Sequence, residues 1–118
     1  MVAGYVPEAG DIVFLDFDPQ VAREQSKRRP ALVLTDLRYN RASGLAVVCP
    51  LTSRRKPYPF SLPVELDNVE GAILLDQLKS MDWAARNASF HSRISVPLLN
   101  RVRQYVGVLL SIRDTRSS

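Results

Sequence analysis

Residues 23–29 read REQSKRR, four cations and one carboxylate directly before Pro30 and the apolar run ALVL. A charge run is ordinarily a solvated face. Set beside the hydroxyls of Thr52 and Ser53, however, this one holds the parts for cleaving RNA without a metal or cofactor. RNA carries its own nucleophile, the 2′-hydroxyl beside the scissile phosphorus. A protein has only to accept that proton, stabilise the added charge on the phosphorane and help the 5′ oxygen depart. Glu24, Arg29 and Thr52 or Ser53 suffice where the fold brings residues 51–53 beside the loop.

Other chemistries are poorly supplied. No Walker loop, dinucleotide-binding glycine fingerprint or G-x-S-x-G elbow occurs. Cys49 lies inside the apolar run AVVCPL, where a small buried thiol is the expected role. His91 stands alone in NASFHSR, and one histidine without a second acid or base cannot run proton transfer in both directions. It reads as a surface or hydrogen-bonding residue. Asp16 and Asp18 share a strand face in the manner of a metal pair, yet acids flanking Phe17 at a strand end are ordinarily just solvated. With one cysteine and one histidine there is neither an internal disulfide nor a Cys/His zinc site, and no metal is expected.

Composition frames these candidates. The 118 residues suit one domain, residues 1–112, followed by a polar tail at 113–118; 46% are apolar and 24% charged, which are globular values. Sixteen Lys and Arg against twelve Asp and Glu leave a charge of +4, and the cations cluster at 23–29, 54–56 and 86–103. Clustered cations attract polyanions. The first residues show no basic segment followed by an apolar one, and no apolar run has membrane-spanning length, so a cytoplasmic protein without membrane contact is expected.

The elements that must hold these residues are mostly strands. DIVFLDFDP alternates with period two, putting Ile12 and Phe14 on one face and Val13, Leu15 and Phe17 on the other. ALVLTD and GLAVVCPLT read as buried strands, separated by the polar stretch 38–44. YPFSLPVEL reads as an edge or bulged strand because Pro59 and Pro63 cannot donate to a ladder, and GAILLDQLKSMDW as a fifth strand, bent midway. Only the end is clearly helical. Ser95 suits an N-cap and Pro97 a first turn, and Leu98, Val102, Tyr105, Leu109 and Ile112 recur at helical spacing. Strands followed by one helix predict a mainly β fold, a small curved barrel packed by a C-terminal α-helix.

Six blocks, YVPEAGDIVFLDFDP, EQSKRRPALVL, YNRASG, CPLTS, YPFSLPVEL and DQLKSMDWAAR, resemble in order and spacing the MazF/PemK toxins of bacterial toxin–antitoxin modules, the MazF branch more than the PemK branch. The resemblance runs over residues 5–111. It implies an SH3-like barrel of the MazF/PemK/CcdB type, usually a homodimer. The implied activity is metal-independent, sequence-specific cleavage of single-stranded RNA, leaving a 2′,3′-cyclic phosphate and a 5′-hydroxyl and arresting translation and growth. The implied partner is a cognate acidic, MazE-like antitoxin. A gyrase-poisoning binding module like CcdB, without ribonuclease activity, is the competing reading on the same fold.

The family pattern E-Q-x-x-x-R-P is matched by Glu24, Gln25, Arg29 and Pro30, and P-x-T by Pro50 and Thr52. The resemblance therefore implies that Arg29 stabilises the phosphorane, Thr52 hydrogen-bonds the phosphate, and Glu24 orients groups or accepts the 2′ proton. Asp76 is a secondary catalytic candidate. The PemK branch has R-C-D-Q where this chain reads LLDQ, so Leu74 replaces that branch's arginine, and Arg23 replaces its histidine before EQ. Arg23, Gln25, Lys27, Arg28, Asn40, Ser53, Lys56, Gln77 and Lys79 are the implied RNA contacts. Phe17 could stack a base, although its alternation favours the core, and Trp83 reads as packing.

Overall fold

Apolar side chains on both faces of a strand need a core on each side, and residues 11–16 show how the chain meets that demand. The computed structural model describes residues 4–17, 28–53, 59–67 and 69–112. In chain order these form β1 (Asp11–Asp16), β2 (Arg28–Val33), α1 (Leu37–Ser43), β3 (Leu45–Thr52), β4 (Ser61–Leu66), β5 (Val69–Leu74), a 3-10 turn (Leu75–Gln77), β6 (Lys79–Asp82), β7 (Ser89–Arg93) and α2 (Val96–Leu109). Ile12 joins one buried cluster with Leu32, Cys49, Leu51 and Ile73, while Val13 and Leu15 join another with Ala31, Val33, Val48 and Met81. The C-terminal helix lies on the first cluster through Leu99, Val102 and Val106. Each such side chain contributes about 1.5–3 kcal/mol by burial.

All the strand pairings are antiparallel, in the order β4-β5-β3-β2-β1-β7, with β6 also on β3. β3 is the shared strand: β2 takes one edge, and β6 and then β5 take the other at Leu45–Val48 and at Leu51 and Thr52. β5 reaches Thr52 closely enough that a Cβ on Gly71 would stand 2.5 Å from the Thr52 carbonyl oxygen, so this position has room for glycine alone. The sheet curls until its ends meet. His91 Nε2 on β7 lies 2.7 Å from the Asp67 carboxylate in the β4–β5 turn. The result is the curled, mainly β sheet with one C-terminal helix that the alternation predicts.

Four details differ from the sequence expectation. The stretch 38–44 is a helical turn, α1, hidden by its polar composition. Its N-terminal N–H, on Leu37, is satisfied by the distant Glu8 Oε1 at 2.8 Å, and its end by Gly44 in the left-handed region. The bent fifth strand is two strands, β5 and β6, joined by the 3-10 turn, which lets them serve successive parts of β3. β7 lies in a polar segment and pairs only with β1. In α2 the buried residues are Leu99, Val102 and Val106, whereas Tyr105 and Ile112 are exposed. The N-cap is as expected, Ser95 Oγ accepting from the Leu98 N–H at 3.3 Å. Pro63 is in β4, at an end of the strand order, where a missing donor is tolerated.

Asn40, an RNA contact by expectation, is fully buried and fully bonded. Its amide donates to the carbonyls of Pro7 and Thr35, each at 2.8 Å, and its Oδ1 accepts from Thr35 Oγ1 at 2.6 Å. It pins α1 to the N-terminal segment. Asn40→Ala is expected to cost about 1–3 kcal/mol, since buried partners lose their bonds. Urea unfolding measures this, and an RNA-binding defect at unchanged stability would contradict the structural role.

Candidate nucleic-acid interface

Alternation along each strand decides which face carries which side chain. On β2, Arg29 follows the parity of Ala31 and Val33; on β3, Thr52 follows Val48; on β6, Lys79 follows Met81. All three therefore sit on the face of the second cluster, to which Phe17 also packs. The ladder between β2 and β3 runs through Val33–Val48, Leu32–Cys49 and Ala31–Pro50. Carried past that last pair, the same register faces Arg29 with Thr52. Pro30 and Pro50 lack N–H groups at this point, so the strands are free to part beyond it.

Arg29 is exposed, and its guanidinium makes no ion pair with a described residue. Thr52 is half-buried and Ser53 exposed. Lys79 Nζ stands 5.5 Å from the centroid of the Phe17 ring, so a cation and an aromatic ring meet on the same face. Asp76 and Gln77 are exposed on the 3-10 turn beside Cys49, whose Sγ lies 4.0 Å from the Leu75 carbonyl oxygen. Burial first, and the Asp76 charge second, push the Cys49 thiol up to about 12. Arg23, Glu24, Gln25, Lys27 and Lys56 lie outside the described residues, as do the 113–118 tail and Asp18.

The Arg28 guanidinium, an RNA contact by expectation, is occupied within the protein. It donates to Asp16 Oδ1 at 3.0 Å, to the carbonyls of Phe14 and Asn87 at 3.1 and 2.9 Å, and to Ser89 Oγ at 3.0 Å. That set stitches β1, β2 and β7 together and leaves little for a phosphate. Two further residues complete the clamp, and nothing in the sequence singled them out beyond a cationic segment. Arg86 donates to the carbonyls of Asp16 and Phe17 at 3.0 and 2.6 Å, and Asn87 Nδ2 donates to Asp16 Oδ2 at 2.8 Å. The end of β1 and the start of β2 are thus held by one network. Asp16 accepts from Arg28 and Asn87 within it. Among the described residues no group of three or more His, Cys, Asp or Glu is arranged to hold a metal.

With this geometry in hand, the chain can be compared with known proteins. The model of the PemK-like, MazF-like toxin of type II toxin–antitoxin systems matches residues 8–110. The chain belongs to this family. It is 36% identical to the endoribonuclease toxin MazF of Escherichia coli K12 over 110 residues, 93% of this chain and 99% of that protein. It is 31% identical to endoribonuclease EndoA of Bacillus subtilis over 115 residues, 92% of this chain and 98% of that one. Among solved structures, MazF of Deinococcus radiodurans superposes with a TM-score of 0.80 at 43% identity, covering 92% of this chain and all of that one, 100%. A MazE–MazF structure from the same organism gives 0.80 at 39% identity, over 93% and 100% of the two chains. Among the described residues no helix is long and apolar enough to cross a membrane.

Two outcomes follow from the local electrostatics. Hydrogen bonds from Asn87 and then Arg28 hold the Asp16 carboxyl below the usual carboxylate range. A depressed folded pKa gives stability that is present above the ordinary value of about 3.9 and lost as pH falls through the folded one. Urea titrations from pH 6 downwards are expected to show a steeper acid loss in the wild type than in Asp16→Asn. Cys49 is expected to resist a thiol-specific disulfide reagent at about pH 8 and to react on denaturation, as its raised pKa and burial require. Rapid labelling of the folded protein would contradict its buried position.

Proposed function

We propose that this protein is a metal-independent endoribonuclease toxin that cuts single-stranded RNA at short sequence motifs, leaving a 2′,3′-cyclic phosphate and a 5′-hydroxyl. The observation that carries the reading is the β2–β3 register, which, continued past Ala31–Pro50, brings Arg29 opposite Thr52 on a face shared with Lys79 and Phe17. Family membership and relatives named as endoribonucleases support it.

In this reading the phosphodiester lies between Arg29 and Thr52. The 2′-oxygen attacks phosphorus while Glu24 accepts its proton. Charge grows on the non-bridging oxygens as the phosphorane forms, and the guanidinium of Arg29 faces that charge with fixed donors. The Thr52 hydroxyl donates to the phosphate, and Arg29 or a neighbouring acid supplies the proton on the 5′ oxygen. Asp76 is a secondary candidate for that role. Lys79, Gln77, Ser53, Gln25, Arg23, Lys27 and Lys56 hold flanking nucleotides, and Phe17 offers a ring at the edge of the site.

The protein acts in the cytoplasm as a homodimer of single domains spanning residues 1–112. A cognate acidic antitoxin of MazE type neutralises it, a partnership supported by the MazE–MazF structure of a relative. An acidic segment suits a face whose described cations, Arg29 and Lys79, also suit RNA.

Purified protein incubated with long mixed-sequence RNA in excess EDTA is expected to give discrete cuts ending in cyclic phosphate. Arg29→Ala is expected to lower the rate by about 10²–10³, the usual effect of removing one donor to a developing oxyanion, with an unchanged melting curve. Intact RNA from folded, antitoxin-free protein would overturn the reading, and gyrase trapped on DNA by that protein would favour the CcdB-like alternative.

A further inference from the structure

Where β2 and β3 part, a cavity of about 210 Å³ opens beneath Thr52. That is smaller than the roughly 300–1,000 Å³ enclosing a drug-sized ligand, and it suits a single heterocyclic ring system. Pro30, Leu51, Val64 and Leu66 supply apolar walls from β2, β3 and β4. Thr52 and Ser53 line it as well, so it is continuous with the candidate site. Asp67 and Glu70, on either side of the β4–β5 turn, line it too.

We propose that this cavity is a specificity subsite for one nucleobase of the RNA, selecting a base with an exocyclic amino group, adenine, cytosine or guanine, against uracil. The proposal rests on the ribonuclease reading and adds the element that chooses the sequence. Charge carries the assignment. Arg29 and Lys79 lie on the face of the second cluster, whereas the cavity has apolar walls and two acids. Phosphates are drawn to the first and repelled by the second, so the backbone follows the cations and a base turns towards the slot.

Carboxylates only accept hydrogen bonds. The amino groups of adenine, cytosine and guanine donate, while the one donor on uracil's pairing edge, N3–H, is flanked by O2 and O4, which face a carboxylate with like partial charge. Asp67 is held for this task. Its carboxylate accepts from His91 Nε2 at 2.7 Å, and Phe14 packs edge-on against the imidazole with centroids 5.4 Å apart. Ser92 Oγ lies 2.9 Å from the other ring nitrogen, which fixes the ring from its far side. His91 is a positioning residue here, acting through Asp67.

The test is cleavage of a single-stranded RNA pool degenerate at every position, in EDTA, with 5′-hydroxyl ends mapped for wild type, Asp67→Asn and Glu70→Gln. Wild type is expected to disfavour uracil about tenfold or more at one motif position. The amide variants, which can donate as well as accept, are expected to relax that position alone. A discrete wild-type motif retained unchanged in both variants would overturn the subsite while leaving the ribonuclease standing. Failure of wild type to cut the pool would overturn the ribonuclease and the subsite with it. A measurement on unaltered protein guards against variants that fold poorly. An oligonucleotide carrying the mapped motif, made uncleavable by a 2′-deoxy residue at the cut, is expected to shift the Gly71 and Ser53 amide resonances. Replacing the selected base by uracil should weaken those shifts, and equal shifts for both oligonucleotides would overturn the proposal.

Discussion

The whole molecule turns on a strand that is paired along both edges and packed on both faces. Backbone groups in the middle of β3 have no access to water, so every N–H and C=O there needs a ladder partner, and the side chains of Ala46, Val48, Cys49 and Leu51 must be apolar. Such a strand offers chemistry only where the constraint is lifted. On β3 that happens at Thr52, just past the pair Ala31–Pro50, with Gly71 pressed against the Thr52 carbonyl. At this end the core strand becomes accessible again, and the ladder behind it holds it rigid.

Electrostatics then divides what packing has built. The buried acids do structural work: Asp11 accepts from Tyr5 Oη, Arg93 Nε and the Glu8 N–H, and Asp16 is gripped by Arg28 and Asn87. Burial and the neighbouring Asp11 together raise the Tyr5 phenol far above its ordinary range, which keeps it a donor. Arg93 and Arg28 are likewise spent on the frame. Arg29 and Lys79 remain turned outward on the face of the second cluster.

Strands could be read where periodicity and burial agree. Residues 11–16 and 45–52 have side chains wanted on two faces, and the pattern says so. Ser95 announced the start of the last helix because a hydroxyl before an apolar run has one common use. Sequence failed where a partner distant in the chain makes the element. α1 depends on Glu8 and on Asn40 reaching Pro7, and β7 depends on β1; neither element carries the apolar repeat that a reader follows. The site divides in the same way. Arg29 and Thr52 were legible as chemical types and as a family pattern, but their nearness is a matter of register. Arg28 and Asn40, a cation beside a cation and a polar residue in a polar stretch, look solvated in sequence until their bonds are seen. Arg86 and Asn87 were passed over because their carboxylate and carbonyl partners lie far upstream.

That Arg28–Arg86–Asn87 network also bears on how such a protein can change over generations. It holds the last residues of β1 and the first of β2 at fixed points, using side chains from a third strand and the turn before it. The connection between those points can therefore be rewritten in composition without moving the places where it leaves and rejoins the sheet. A fold arranged this way behaves like a socket with an exchangeable cassette. Change in that stretch leaves the framework on either side of it intact.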